Sequence, residues 1–334
     1  MKKLFKTNNK MKTKSFGKIS AFLIAVIMCA ASFTACTSNK EAKYLEAFDK
    51  LEQRDYEAAY SLFVELGNYK DAENEVAKFH YVPIKCIDKD IFEEGTETTT
   101  TTFFFDENNL ISRYVIESEE YGSETGICTY DEHGRLLSIS LKAEDGFEIK
   151  RECSYAADGN LIKEITTYSD GYFYSYENLF DEDGIRTKVV FENPEGKNPY
   201  DCIHNEDGQI SKFILKDDGG NVVSIEEYFY DENGHNIKIN CTKNGEIDSF
   251  YDFTYNEAGH LIREYFEDKG EGEEDDFSYV SEYTNDEHGN IIKDHTTYND
   301  NTEWIRETSF KLVYVPFEYS EEDWKYLIDD GVIW

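Results

Sequence analysis

Basic residues are scarce in this chain. Thirty-four lysines and arginines stand against seventy acidic residues, a formal charge of −36 over 334 residues. A surface of that sign repels phosphate backbones, which excludes nucleic acid as a partner and favours cationic groups or divalent counter-ions. Long apolar runs are missing as well. The stretch from Ile19 to Phe33 is too short to span a bilayer comfortably. The cysteines show no CxxC and no Cys/His ligand spacing, and the five beyond residue 36 (Cys86, Cys128, Cys153, Cys202 and Cys241) cannot all pair. That excludes a closed disulfide framework and a zinc-type site. Nor is there a G-x-S-x-G, an H-E-x-x-H or a phosphate loop to announce an enzyme. Tryptophan is limited to three residues, but 25 tyrosines and 23 phenylalanines are present. So much aromatic surface can be buried in a core, and a disordered acidic tail is ruled out.

One phrase recurs about every twenty-five residues. It reads Tyr130-Asp131-Glu132-His133-Gly134-Arg135-Leu136, then Tyr155-Ala156-Ala157-Asp158-Gly159-Asn160-Leu161. Further copies begin at Phe180, Asn205, Tyr230, Tyr255 and Asp286, and Phe105-Asp106-Glu107-Asn108-Asn109-Leu110 is a degenerate first one. A second turn signal falls near the middle of a unit, as Asp145-Gly146, Asp170-Gly171 and Asn244-Gly245. Glycine supplies positive φ there, so two-residue hairpin turns are expected. Between turns the period is two. Ile149, Arg151, Cys153 and Tyr155 oppose Lys150, Glu152 and Ser154; Leu137, Ile139 and Leu141 oppose Ser138 and Ser140; Ile237, Ile239 and Cys241 oppose Lys238 and Asn240. Each unit is thus a β-hairpin with one apolar face, and the fold class is mainly β, an antiparallel hairpin-repeat meander behind a short helical segment. A sheet of this kind must curl or find a second layer. A parallel β-helix with one unit per coil is the alternative. It would bring Cys128 and Cys153 within about 4.8 Å, against about 9.5 Å in a meander.

The phrase Tyr-Asp-Glu-x-Gly-x-Leu, running from Phe103 to Tyr298, resembles the YD repeats of bacterial RHS proteins. That resemblance implies a curled or spiral sheet. The Gly-Arg pair of such repeats occurs only as Gly134-Arg135, and no self-cleaving segment or toxin tail is recognisable. A small open roll is therefore expected in place of a closed shell.

Seven lysines followed by an apolar run and Phe33-Thr34-Ala35-Cys36 form a targeting segment. It resembles a bacterial lipobox. The resemblance implies a signal peptide over 1–35, lipidation at Cys36, a membrane partner through that lipid, and an extracytoplasmic location. Residues 36–82 carry helical spacing: Leu45, Phe48 and Leu51, then Tyr56, Ala59, Tyr60 and Phe63, then Ala72, Val76 and Phe79. Asp55 and Gly67 bound the second helix. This stretch resembles a tetratricopeptide helix pair, one and a half units long, and reads as a spacer or cap. Pro83 ends the helical stretch, about eight β units fill 96–310, and 311–334 form a C-terminal cap around Trp324, Leu327 and Ile328.

Candidate sites come from the repeats. His133, His235, His260 and His288 recur in the turn and read as solvated. Asp131, Asp181, Asp183, Asp207 and Asp231 would line one rim, a weak calcium row and the only cofactor the sequence suggests. Asp and Asn also stabilise turns by bonding their own backbone. Acidic pairs such as Asp131/Glu132 and Asp231/Glu232 give a runner-up reading as a secreted hydrolase. Tyr174, Tyr176, Tyr228, Tyr230 and Tyr251 belong to segments rich in rings at both strand parities, so an outer aromatic surface for a sugar or a protein is expected. The function expected is a non-enzymatic surface module that binds a protein or a cell-wall glycan.

Overall fold

The computed structural model describes residues 39–92, 95–120, 122–217, 219–269 and 277–315. The signal segment, Cys36, the acidic insertion over 270–276 and the cap beyond residue 315 lie outside the described residues. Two compact units divide between Phe79 and His80.

In the first unit, residues 39–52 are helical (α1), followed by α2 (Tyr56–Leu66) and α3 (Ala72–Val76). Asp55 precedes α2, and Gly67 ends it at φ 55°. The Asp55 carboxylate is held by Lys50 at 2.9 Å instead of capping the helix. The buried stripe of α1 is one position off the expected one. Tyr44 and Phe48, four apart, both meet the ring of Phe63 edge-on, while Leu45 points outward, 57% exposed.

In the second unit the hairpins run in order. Its strands are β1 (Phe79–Phe92), β2 (Gly95–Phe105), β3 (Ile111–Ser118), β4 (Gly122–Tyr130), β5 (Leu136–Ala143) and β6 (Glu148–Tyr155). Next come β7 (Leu161–Tyr168), β8 (Phe173–Phe180), β9 (Arg186–Asn193), β10 (Gly196–His204), β11 (Ile210–Lys216) and β12 (Val222–Tyr230). The last are β13 (Asn236–Lys243), β14 (Glu246–Tyr255), β15 (Leu261–Asp268), β16 (Phe277–Asn285), β17 (Ile291–Tyr298) and β18 (Glu303–Tyr314). Each strand pairs antiparallel with the next, and β18 pairs with β1. The result is a closed barrel of hairpins. The parallel β-helix is excluded, and the five cysteines are free.

Closure corrects the expected open roll, and its cause lies before the repeats. β1 begins at Phe79, where a helix was expected to continue, and supplies a strand with two partners. Pro83 stands outside the β1–β2 ladder, which starts at Lys85 opposite Thr102, so its missing N–H costs that pairing nothing. Across the β1/β18 seam, Arg306 Nε donates to the buried Asp88 carboxylate at 2.6 Å. A barrel has no free edge to protect.

The phrase now has a physical reading. In the turn from β4 to β5, Gly134 N donates to Asp131 O at 3.1 Å and Asp131 N donates to Arg135 O at 3.0 Å, with Gly134 at φ 80°. The Asp131 carboxylate accepts from His133 N and Arg135 N at 2.8 and 3.0 Å. Asp106, Asp181, Asp231 and Asp286 accept in the same way, and in two copies the Asn205 and Asn256 amide oxygens do. The leading Tyr ties one unit to the previous one. Tyr130, Tyr155, Tyr230 and Tyr255 hydroxyls donate to the carbonyls of Ile111, Leu136, Ile210 and Asn236 at 2.7–2.9 Å. Where the phrase has Phe180, Asn178 Nδ2 makes the equivalent bond, to Leu161 O at 3.0 Å. Tyr155→Phe should therefore cost about 1 kcal/mol. Chemical denaturation measures it, and an unchanged midpoint would remove the staple's energetic role.

Two local expectations change. The Asp145-Gly146 and Asp170-Gly171 turns are one residue longer than a two-residue hairpin, with positive φ only at the glycine. The Asp145 and Asp170 carboxylates accept from the N–H two residues on, and this holds the wider turn. Asn244-Gly245 has positive φ at both residues, as a two-residue turn requires. Just after every phrase the ladder also slips by one. Thr129 opposes Ser138 while Tyr130 opposes Leu136, so Leu137 is a bulge residue. Leu137 and Ile237 therefore face solvent, and it is Leu136 that is buried.

Candidate functional site

Directly opposed residues share a face, so the registers assign every strand position to the inner or the outer wall. Over β1–β6 the inner wall is a packed apolar core that includes Phe103, Tyr114, Ile116, Cys128, Ile139 and Ile149. Burial pushes the Cys128 thiol up to about 12, as a sequestered free cysteine requires. The outer wall is charged instead. Lys212 pairs with Glu227 at 2.8 Å, Lys197 with Glu192 at 3.0 Å, and Asp201 lies between Lys188 and Lys216 at 3.2 and 2.8 Å. Exposed pairs of this kind contribute roughly 0–1 kcal/mol each.

From β8 to β17 the inner wall changes character and becomes aromatic and acidic. A cavity of about 410 Å³ is lined by Tyr176, Val189, Phe191, Tyr200, Phe213 and Glu226. Tyr176 stays 42% exposed beside Phe191, ring centroids 5.2 Å apart. Tyr228 stands next to Phe213 and donates its hydroxyl to Glu226 Oε2 at 3.0 Å. Further round, Glu264 accepts from Tyr279 at 2.6 Å and from Tyr283 at 3.1 Å. Burial raises the Tyr228, Tyr279 and Tyr283 phenols well above their usual range, so they are donors at neutral pH. Tyr251 packs on Phe266, which packs on Tyr279.

All five tyrosines singled out in the sequence lie on this inner wall, not on the expected outer surface. Tyr174 and Tyr176 meet each other and Phe191. Tyr176 lines the cavity and Tyr228 bonds its Glu226, Tyr251 belongs to the next cluster, and Tyr230 is tied to Ile210 as a staple. The rings that face outward from the same segments are Phe173, Phe229 and Phe250. The reason is parity within each strand: these tyrosines stand at, or an even number of residues before, the leading position of a phrase, and so share its inward face. Sequence reading missed Tyr200, Phe213, Glu226, Glu264, Tyr279 and Tyr283. Tyr279 could have been found by counting back from the leading position at Asn285, and Glu264 by counting forward past the bulge at Ile262.

The rim residues are occupied by the fold. Asp131 and Asp181 each spend one oxygen on two backbone amides, and Arg135 holds the other Asp131 oxygen. Asp231 does the same with Asn233 and His235 N–H. The His235 ring then takes its second oxygen at 3.0 Å, which pulls the Asp231 carboxyl down to about 2. His235 also stacks on Tyr255 at 4.6 Å, and His288 on Tyr81 at 4.4 Å, so neither is simply solvated. Asp207 and Asp231 line one rim groove of about 670 Å³. Asp183 is an exposed turn residue. Among the described residues no group of three or more His, Cys, Asp or Glu is placed to hold a metal ion.

No family model matches the chain, and no curated protein matches it. Solved structures align with it at low likeness. TcdB2-TccC3 without its hypervariable C-terminal region aligns at 14% identity and TM-score 0.33, over 62% of this chain and 12% of that one. A porin-like protein from Bacteroides uniformis aligns at 12% identity and TM-score 0.37, over 69% of this chain and 98% of that one. The Photorhabdus luminescens Tc holotoxin pore aligns at 11% identity and TM-score 0.27, over 75% of this chain and 20% of that one. This chain therefore spans about an eighth and a fifth of the two toxin chains.

Proposed function

We propose that this is a non-enzymatic, extracytoplasmic binding module whose inner tyrosine–carboxylate wall takes a cell-wall glycan. A half-exposed ring beside a carboxylate carries the reading. Tyr176 offers a flat face to the apolar side of a sugar ring, and Glu226 across the cavity accepts its hydroxyls. The acidic wall favours neutral or amino sugars over phosphorylated ones. A hydrolase built on turn carboxylates lacks comparable support, because Asp131 and Asp231 already hold the backbone of their own turns. Titration calorimetry with soluble cell-wall glycan fragments tests the proposal. Tyr176→Ala should weaken binding about tenfold, equivalent to ~1.4 kcal/mol. No binding at millimolar fragment, or equal binding by the variant, overturns it, and release of reducing sugar would favour the hydrolase.

The address is part of the same proposal. Lipid on Cys36 would hold the module, with its YD-type repeats and tetratricopeptide-like spacer, at the outer face of a bacterial membrane. Cys36→Ala should move the protein from the membrane fraction to the soluble one. Unchanged fractionation together with the mass of an unlipidated N-terminus would rule the anchor out.

A further inference from the structure

A second cavity opens elsewhere on the inner wall, where β2–β7 approach the mid-unit turns. It measures about 440 Å³. Ile116, Leu141, Ile149, Phe147 and Tyr168 give it apolar walls, and Glu124 is its one carboxylate. Volume and lining fall within the range of small-molecule sites.

Charge decides what such a cavity accepts. Among the described residues Glu124 has no hydrogen-bond or ion-pair partner. Burial and the neighbouring Asp145 both push its carboxyl upward. Arg151, the buried cation on the same wall, faces Glu164 at 3.5 Å and has 1% of its side chain exposed. A neutral apolar guest would gain the walls and leave the carboxylate unpaired. An anion would meet Glu124 and Asp145 with the same sign. A cation would form a charge-assisted hydrogen bond with a half-buried carboxylate.

We infer that this cavity is a binding site for an apolar molecule carrying an ammonium group, with Glu124 as the counter-ion. It is separate from the tyrosine wall and stands without the glycan reading.

Calorimetry on the full chain with benzylamine, benzyl alcohol and benzoate tests it. Benzylamine should bind at least tenfold more tightly than the alcohol, and benzoate more weakly than either. Glu124→Gln should remove the amine's advantage while the alcohol keeps its affinity. Ala143→Phe, which fills the cavity from its lining, should weaken both at least tenfold. Tyr176→Ala should leave all three affinities unchanged, which keeps this site distinguishable from the glycan wall. The inference is overturned by any of four results: equal affinity of amine and alcohol for the unaltered chain, selectivity that survives Glu124→Gln, binding indifferent to Ala143→Phe, or no binding at millimolar amine.

Discussion

Replacing Arg306 by alanine should destabilise the barrel by about 3–5 kcal/mol, because it leaves a carboxylate buried in the seam without its partner. Asp88 is 2% exposed and receives Arg306 Nε at 2.6 Å. Burial already pushes the Asp88 carboxyl above the usual carboxylate range, with Arg306 opposing the rise. The guanidinium is therefore what makes a charged Asp88 tolerable. For a domain of this size the loss corresponds to a fall in Tm of roughly 10 °C. The effect should be local before it is global. Hydrogen exchange should accelerate in β1 and β18 while β5–β7 stay protected, since only the closing pair is broken. Asp88→Leu/Arg306→Met should recover most of the stability, because an apolar pair of similar volume has no charge to desolvate. If Arg306→Ala shifts the midpoint by less than about 1 kcal/mol, closure does not rest on this pair.

That seam also marks where sequence reading stops. The repeat, its two turns and its period of two are local signals, and each became a hairpin in the expected order. The turn carboxylates were legible for the same reason: an Asp three residues before a glycine can reach its own backbone. Closure is a long-range property. Nothing local in Phe79–Phe92 announces that its two partners are a strand that follows at once and one more than two hundred residues away, and Pro83 there reads as a stop signal. The inward face of the tyrosines was legible within each strand, because an even count from the leading position keeps a residue on its side. The bulge exchanges the faces only of the strand that follows each phrase, so it hid Leu136 and Glu264. Tyr174, Tyr176, Tyr228, Tyr230 and Tyr251 went to the wrong wall because segments with rings at both parities were read as exposed. His235 and His288 were misread because their stacking partners are distant in sequence: Tyr255 belongs to the next turn, twenty residues further on, and Tyr81 to β1, whereas His133 is exposed as expected.

The largest steric effect is expected at Gly126. It faces Tyr114 directly across the β3–β4 ladder, and Tyr114 is fully buried. The phenol ring lies flat over the glycine. A Cβ added at Gly126 would sit 2.0 Å from the ring's Cζ and 2.2 Å from Cε1. Neither can give way cheaply, because the ring is enclosed by the core that includes Phe103, Ile116 and Cys128. Gly126 is thus kept for space and not for backbone freedom, unlike Gly134 or Gly146, which have positive φ. In an ordinary strand, alanine is the better residue by roughly 0.5–1 kcal/mol. Here Gly126→Ala should destabilise by about 3 kcal/mol or more, at the upper end of core overpacking. The sign of that change separates the two accounts. Tyr114→Ala alone should also cost about 3–5 kcal/mol, through the void left by the ring. Tyr114→Ala/Gly126→Ala should then be more stable than the sum of the single losses, by roughly 2–3 kcal/mol, because the added methyl enters space the ring has vacated. Urea denaturation of the four proteins measures this coupling. Additive losses would mean that the ring does not occupy the space above Gly126, and a stabilising Gly126→Ala would show that the strand, not the ring, sets the requirement.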